Sequence, residues 1–285
     1  LNSVLKLKKE EIIKENFEQA TELKNMQKQI ETKINKLQIR NSKNKQPVQI
    51  TKDMVIDVIS KKANIPLYEF NINNKKILSL EKQLNKKVLG QENAIRIISE
   101  YTKRKQLGFA DNKPHSFMLI GKSGVGKTML VREYAKEIYS TDSFIRVDMS
   151  EYKESHSVSK ILGSPPGYVG YDDENYLLEK IRNNPYSVLL LDEIEKANID
   201  VIKLFLQVLD NGIMKDSKGN LVNFNNVVVF MTSNLCSNVK SIGFSKNNES
   251  KILSDLNEFF GVEFMNRIDD VILFNDLSDE SIRSI

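Results

Sequence analysis

The stretch Gly121-Lys122-Ser123-Gly124-Val125-Gly126-Lys127-Thr128 has the residue types and the spacing to hold a chain of phosphates. Its glycines let the backbone turn N–H groups inward as an anion nest, with Ser123 and Val125 inside the same turn, and a helix starting there adds its positive N-terminal end. In such a loop Lys127 reaches the outer phosphates and the Thr128 hydroxyl holds a Mg²⁺ ion. A second chemical signal is the pair Asp192 and Glu193, which closes the apolar run 187–191. Asp192 is placed to hold Mg²⁺ through water. Glu193, one residue further on, is placed to polarise a water for in-line attack on a γ-phosphate. The two signals together call for a nucleotide with a γ-phosphate and for Mg²⁺, and for hydrolysis as well as binding.

These residues need elements to position them, and the flanking sequence supplies candidates. Residues 116–120 read as a buried strand entering the loop, and residues 129–139 as an amphipathic helix leaving it. Further apolar strand candidates fall at 144–149, 188–191, 227–232 and 271–274, with helical patterns between most of them. Short continuous apolar runs alternating with helices predict a parallel sheet of five strands covered on both faces, a three-layer α/β fold. In such a fold ligands bind where the strands end, which is where Asp192 and Glu193 fall.

Before this body, residues 1–46 form a predicted helical arm rich in Lys, Glu and Gln, without Gly or Pro. Leu23, Met26, Ile30, Ile34 and Leu37 recur at steps of three and four, giving one apolar seam that wants a partner helix; a solvated single helix is the alternative. Residues 47–84 read as a linker and a capped helix, with Thr51 as cap and Met54, Val55, Val58 and Ile59 on its apolar face. The nucleotide-binding body is then expected over 85–285.

The whole chain of 285 residues is 40% hydrophobic, ordinary for a globular protein. No run approaches the length of a bilayer span, and the opening residues are no signal peptide. The net charge of +4, from 42 basic and 38 acidic residues, lacks the basic stripe with interleaved aromatics that a nucleic-acid motor needs. The lone Cys236 forms no internal disulfide, which points to a reducing compartment. A start at Leu1 reads as a fragment or a processed product.

Residues 189–197 (LLLDEIEKA) and 163–171 (GSPPGYVGY), with 147–152 and 206–210, resemble the second ATPase module of the Clp family of AAA+ unfoldases, and the similarity runs from about 51 to 274. The resemblance implies a hexameric ring that pulls unfolded polypeptide through a central pore using ATP. It implies that Val88 and Leu89 contact the adenine, that Tyr168 and Val169 form the pore loop gripping the substrate, and that 211–224 is a second pore-loop hairpin. Asn234 becomes the sensor that orients the attacking water. Arg267 becomes a finger inserted into a neighbouring subunit, worth about 10³ to 10⁵ in rate; the alternative is a salt bridge to Asp269 or Asp270.

Ile242, Gly243 and Phe244 are similar to the tripeptide that docks Clp unfoldases onto a ClpP-type peptidase, the alternative being that Phe244 folds back on its own domain. Residues 15–24 resemble a UvrB/UvrC-like motif in the middle region of the ClpC type. Two departures stand out: residues 172–176 lack the usual Gly pair, and the chain stops at Ile285, before the family's small helical lid domain. The competing expectations are a ClpB-like disaggregase and a non-catalytic ring subunit. The Lys-, Asn- and Ile-rich composition reflects A+T-rich codons and, with the ClpC-like motifs, suggests a plastid-type organelle such as an apicoplast stroma, with a bacterial cytoplasm as the alternative.

Overall fold

The structure, a computed structural model, describes residues 4, 7–8, 17–43, 50–63, 75–109, 113–139, 143–154, 157–163, 176–235 and 246–277. The chain divides into two units, residues 1–55 and 56–285.

In the first unit, helix α1 spans Phe17–Lys43. Of the expected seam, Leu23 and Ile30 are half-buried while Met26 and Ile34 stay exposed. Lys8 donates to the Gln27 side chain. Helix α2 (Lys52–Ala63) begins as expected, with the Thr51 hydroxyl accepting from the Met54 amide at 3.4 Å. That bond satisfies one of the free N–H groups of the first turn.

The second unit is built on a parallel sheet in the order β2-β3-β6-β1-β7. Its strands are β1 (His115–Ile120), β2 (Phe144–Asp148), β3 (Val188–Asp192), β6 (Val228–Ser233) and β7 (Asp270–Leu273). Residues 117, 119, 188, 190, 228 and 230 face one layer of helices, and residues 118, 120, 189, 191, 229 and 231 face the other. Successive side chains alternate across a sheet, so covering both faces requires apolar residues at every position. This explains the continuous runs in the sequence and bears out the three-layer expectation.

The first layer contains α3 (Lys75–Lys87), α4 (Glu92–Gln106) and α5 (Lys127–Ile138). Leu130, Val131, Tyr134, Ala135 and Ile138 form the buried stripe of α5, and the Tyr134 ring meets Phe230 edge-on at 5.6 Å. Ile77, Leu80 and Leu84 of α3 share this core. The nucleotide-binding body therefore starts by residue 77, earlier than the boundary at 84/85 expected from sequence, because α3 buries its apolar stripe against the same sheet.

The second layer contains α6 (Ser157–Leu162), α7 (Tyr176–Asn183), α8 (Ile199–Asn211), α9 (Lys246–Phe260) and α10 (Val262–Met265). Between α8 and β6 lies the hairpin expected within 211–224: β4 (Ile213–Lys215) pairs antiparallel with β5 (Leu221–Asn223). Asp216 pins its turn by accepting from the Lys218 and Asn220 amides, the Asn220 side chain and Arg182.

At the N-terminal end of β1, His115 stacks on Tyr101 at 3.9 Å and leans on Phe117 at 4.6 Å. Its Nε2–H donates to Asp270 at 2.9 Å. Burial holds the imidazole below the ordinary histidine value of 6.5, outweighing the pull of Asp269 and Asp270. The unfolded chain therefore takes up a proton first as pH falls below 6.5, so folding stability falls with it until the folded imidazole also titrates. The melting temperature of the wild type is expected to fall more steeply between pH 7 and 5.5 than that of His115→Gln; equal slopes would contradict this assignment.

Candidate nucleotide-binding and hydrolysis site

The topology brings the chemical residues together before any side chain is considered. β6 lies between β1 and β3, with Ile120 level with Ser233 and Leu191 level with Met231. The phosphate loop leaving β1, the acidic pair leaving β3 and the 232–234 segment closing β6 therefore emerge along one edge of the sheet. A cleft of about 730 Å³ opens there, lined by Ser123 to Met129, Val88, Leu89, Arg146, Asp148, Asp192, Glu193, Thr232 and Asn234. This size falls within the usual range for small-molecule and cofactor sites.

The loop shows why its glycines are needed. Gly126 is the N-cap of α5 at φ 102°, a left-handed conformation that a side chain would strain. Gly121 has a different reason: a Cβ there would lie 2.9 Å from Cβ of Phe274. Gln91, buried between the loop and the end of β7, donates to the carbonyls of Val125 (3.2 Å) and Asn275 (2.9 Å) and accepts from the Asn275 amide. It fastens the loop to the sheet. Val88 is both buried and part of the cleft wall, so its core and cofactor-contact readings coincide.

Lys127 donates to the carbonyls of Gly121 (2.6 Å) and Lys122 (2.8 Å) and to Oδ1 of Asn234 (2.9 Å). Burial pushes its ammonium below the ordinary lysine range, against the pull of Glu195, Asp192 and Glu193. A buried cation held by neutral acceptors is suited to an anionic ligand.

Asp192 lies in the floor of the cleft. Its Oδ1 accepts from Thr232 Oγ1 at 2.5 Å, and Thr128 Oγ1 stands 3.3 Å from the same oxygen. A hydroxyl and a carboxylate this close are the hard oxygen donors Mg²⁺ prefers. Among the described residues no group of three or more His, Cys, Asp or Glu could hold a metal alone. Thr128 and Asp192 would form the protein side of a Mg²⁺ brought on phosphate oxygens; bound there, the ion would neutralise charge on the phosphates.

Glu193 adopts φ 58°, the one left-handed non-glycine conformation among the described residues. Its amide donates to Thr232 Oγ1 at 2.9 Å, so one hydroxyl ties both acids to the end of β6. The Glu193 carboxylate accepts from Asn234 Nδ2 at 3.1 Å and pairs with Lys196. Glu195 accepts the Asn234 amide at 3.0 Å and holds that residue in place. Asn234 thus bridges Lys127 and Glu193.

Arg267 lies elsewhere. Its carbonyl accepts from Ser116 Oγ, near the start of β1, whereas the phosphate loop leaves the end of that strand about 13 Å further along. Its side chain pairs with Asp210 at the end of α8. The ion pair foreseen with Asp269 or Asp270 is not made: Asp269 accepts from the amide and hydroxyl of Ser116, and Asp270 accepts from His115. Tyr168, Val169, Ile242, Gly243 and Phe244 lie outside the described residues.

Arg146, Thr232, Gln91 and Glu195 were given no role by sequence reasoning. Only Arg146 left a trace, as a lone basic residue inside the apolar strand Phe144–Asp148.

A phosphate loop, an acidic strand end and a polar third strand end on an open parallel sheet define a P-loop ATPase domain of the AAA+ class. The chain belongs to that class, the family profile described as "AAA domain (Cdc48 subfamily)" matching residues 112–271, and its relatives are the ATPase modules of ClpB, ClpC and Hsp104. It is 45% identical over 232 residues to the chaperone protein ClpB of Blochmanniella floridana, covering 79% of this chain and 27% of that protein. It is 39% identical over 289 residues to the ATP-dependent Clp protease ATP-binding subunit ClpC of Staphylococcus aureus strain N315, covering 95% of this chain and 35% of that one. The chain thus spans about a third of these relatives. Among solved structures it is similar to the closed state of Hsp104 with ATPγS and FITC casein (TM-score 0.75, 35% identity, 82% of this chain and 42% of that one) and to the S. cerevisiae Hsp104–ADP complex (TM-score 0.71, 34% identity, 83% and 42%).

Proposed function

We propose that this chain is the ATP-hydrolysing module of a ring-forming protein unfoldase. It binds Mg²⁺-ATP through Lys127, Thr128 and Asp192, with Glu193 as base and Asn234 aligning the water. The observation that carries the reading is the separation of Arg267 from its own cleft while every other hydrolytic group converges there. An arginine held away from its own cleft is available to a neighbour's, and identical copies arranged head to tail in that way form a ring when the rotation between them closes. In this reading Tyr168 and Val169 grip the translocating polypeptide, and Ile242, Gly243 and Phe244 dock the ring onto a ClpP-type peptidase in a plastid-type organelle.

The similarity to ClpB favours a second reading, a disaggregase that works without a peptidase. A pull-down of ClpP by the intact protein carrying this chain separates the two. Capture by the wild type and loss with Phe244→Ala supports delivery to the peptidase, and no capture by either supports the disaggregase.

A further inference from the structure

β2 places Phe144, Arg146 and Asp148 on one face, and its register sets Arg146 level with Leu190 and Asp148 level with Asp192. Two carboxylates therefore stand side by side where the strands end, and like charges in adjacent strands repel. Arg146, diagonal to Asp192, answers that repulsion. Its Nε (2.9 Å) and Nη2 (2.7 Å) both donate to Oδ2 of Asp192. The Asp192 side chain is only 9% exposed, and this guanidinium is the positive charge in direct contact with it, with Lys127 nearby. The other oxygen, Oδ1, already faces Thr232 and Thr128.

We propose that Arg146 is a built-in counter-cation for the metal ligand Asp192, which keeps a divalent ion from settling in the cleft unless nucleotide phosphates bring it. The proposal rests on the reading of Thr128 and Asp192 as the protein side of the Mg²⁺ site. An ion arriving alone must settle on a carboxylate whose other oxygen, Oδ2, is already held by a positive charge, and it gains only two protein oxygens. An ion arriving on phosphates brings negative charge that Arg146 can also face. Asp148 offers the guanidinium a second acidic neighbour, two residues along the same strand face. Its carboxyl is held below the usual range chiefly by hydrogen bonds from Ser150, with Arg146 adding to the effect, so it remains ionised and able to receive that charge. Arg146 acts through Asp192 and is a positioning residue, setting the order in which ion and nucleotide bind.

The test is Mn²⁺ binding to the protein without nucleotide, read by electron paramagnetic resonance. Arg146→Met is expected to bind Mn²⁺ about tenfold more tightly than wild type, because a positive charge next to the ligand oxygen has been removed. Arg146→Lys keeps the charge and is expected to stay near wild type, and Arg146→Met combined with Asp192→Asn to lose the gain. A merely structural arginine would give none of this pattern. If Arg146→Met does not fold, Arg146→Gln carries the same comparison. Unchanged or weaker Mn²⁺ binding in a folded variant would overturn the proposal. Binding of labelled ATP with Mg²⁺ to the wild type is measured alongside. Nucleotide binding without the Mn²⁺ effect counts against Arg146 alone, whereas no nucleotide binding removes the site reading and this proposal with it.

Discussion

Glu193→Gln is expected to bind ATP as tightly as the wild type and to release phosphate about 10² to 10⁴ times more slowly, the range spanned by removing a positioned general base. The substitution keeps the shape of the side chain and an oxygen that can still accept from Asn234 Nδ2. The amide bond to Thr232 is a backbone contact and survives. What disappears is the negative charge that takes the proton from water, together with the pairing to Lys196. Lys127, Thr128 and Asp192 are untouched, so the affinity term is preserved while the chemical step fails. Single-turnover phosphate release with a parallel fluorescent-nucleotide titration checks the prediction. Turnover that persists unchanged would remove Glu193 from its role.

Arg267→Ala is expected to lower turnover by about 10³ or more without weakening nucleotide binding. The Arg267 carbonyl sits near the start of β1, its guanidinium pairs with Asp210, and it does not line its own cleft, so its removal leaves that cleft intact. Asp210, paired with it here, keeps the arginine ordered at the surface near the end of α8. A half-exposed ion pair of this kind contributes about 1 kcal/mol, so the fold should tolerate its loss. A steady-state assay of the assembled protein, with melting temperature as control, separates the two roles. A purely structural arginine would lower stability and leave the rate per folded subunit unchanged.

The sequence showed the parts governed by local rules and missed those set by neighbours across the sheet. The loop 121–128 and the strands were legible because a phosphate nest and a strand buried on both faces each impose a continuous local pattern. The role of Gly121 was only half legible: φ/ψ freedom was foreseen, but its close contact with Phe274 is 153 residues away in sequence and carries no local sign. Arg146 is similar. One basic residue in an edge strand usually reads as a solvated side chain, and only the register against β3 shows that it meets Asp192. Arg267 was found through resemblance alone, and its partner Asp210 was missed because the nearer acids Asp269 and Asp270 are taken by Ser116 and His115. Ile77, Leu80 and Leu84 recur at helical spacing, but nothing local says which sheet an amphipathic helix will cover.

The central claim is that each cleft is chemically complete only with a residue from a second copy, and mixing two inactive variants tests it most directly. Subunits with Glu193→Gln lack the base but carry Arg267; subunits with Arg267→Ala carry the base but lack the finger. Each alone is expected to be inactive. Mixed in the intact ring-forming protein with ATP and Mg²⁺, they create interfaces where an intact Glu193 meets a neighbour's intact Arg267, and ATP hydrolysis is expected to return, rising with the fraction of mixed interfaces. If both variants are inactive alone, assemble together and still show no recovered hydrolysis in the mixture, the shared site is contradicted.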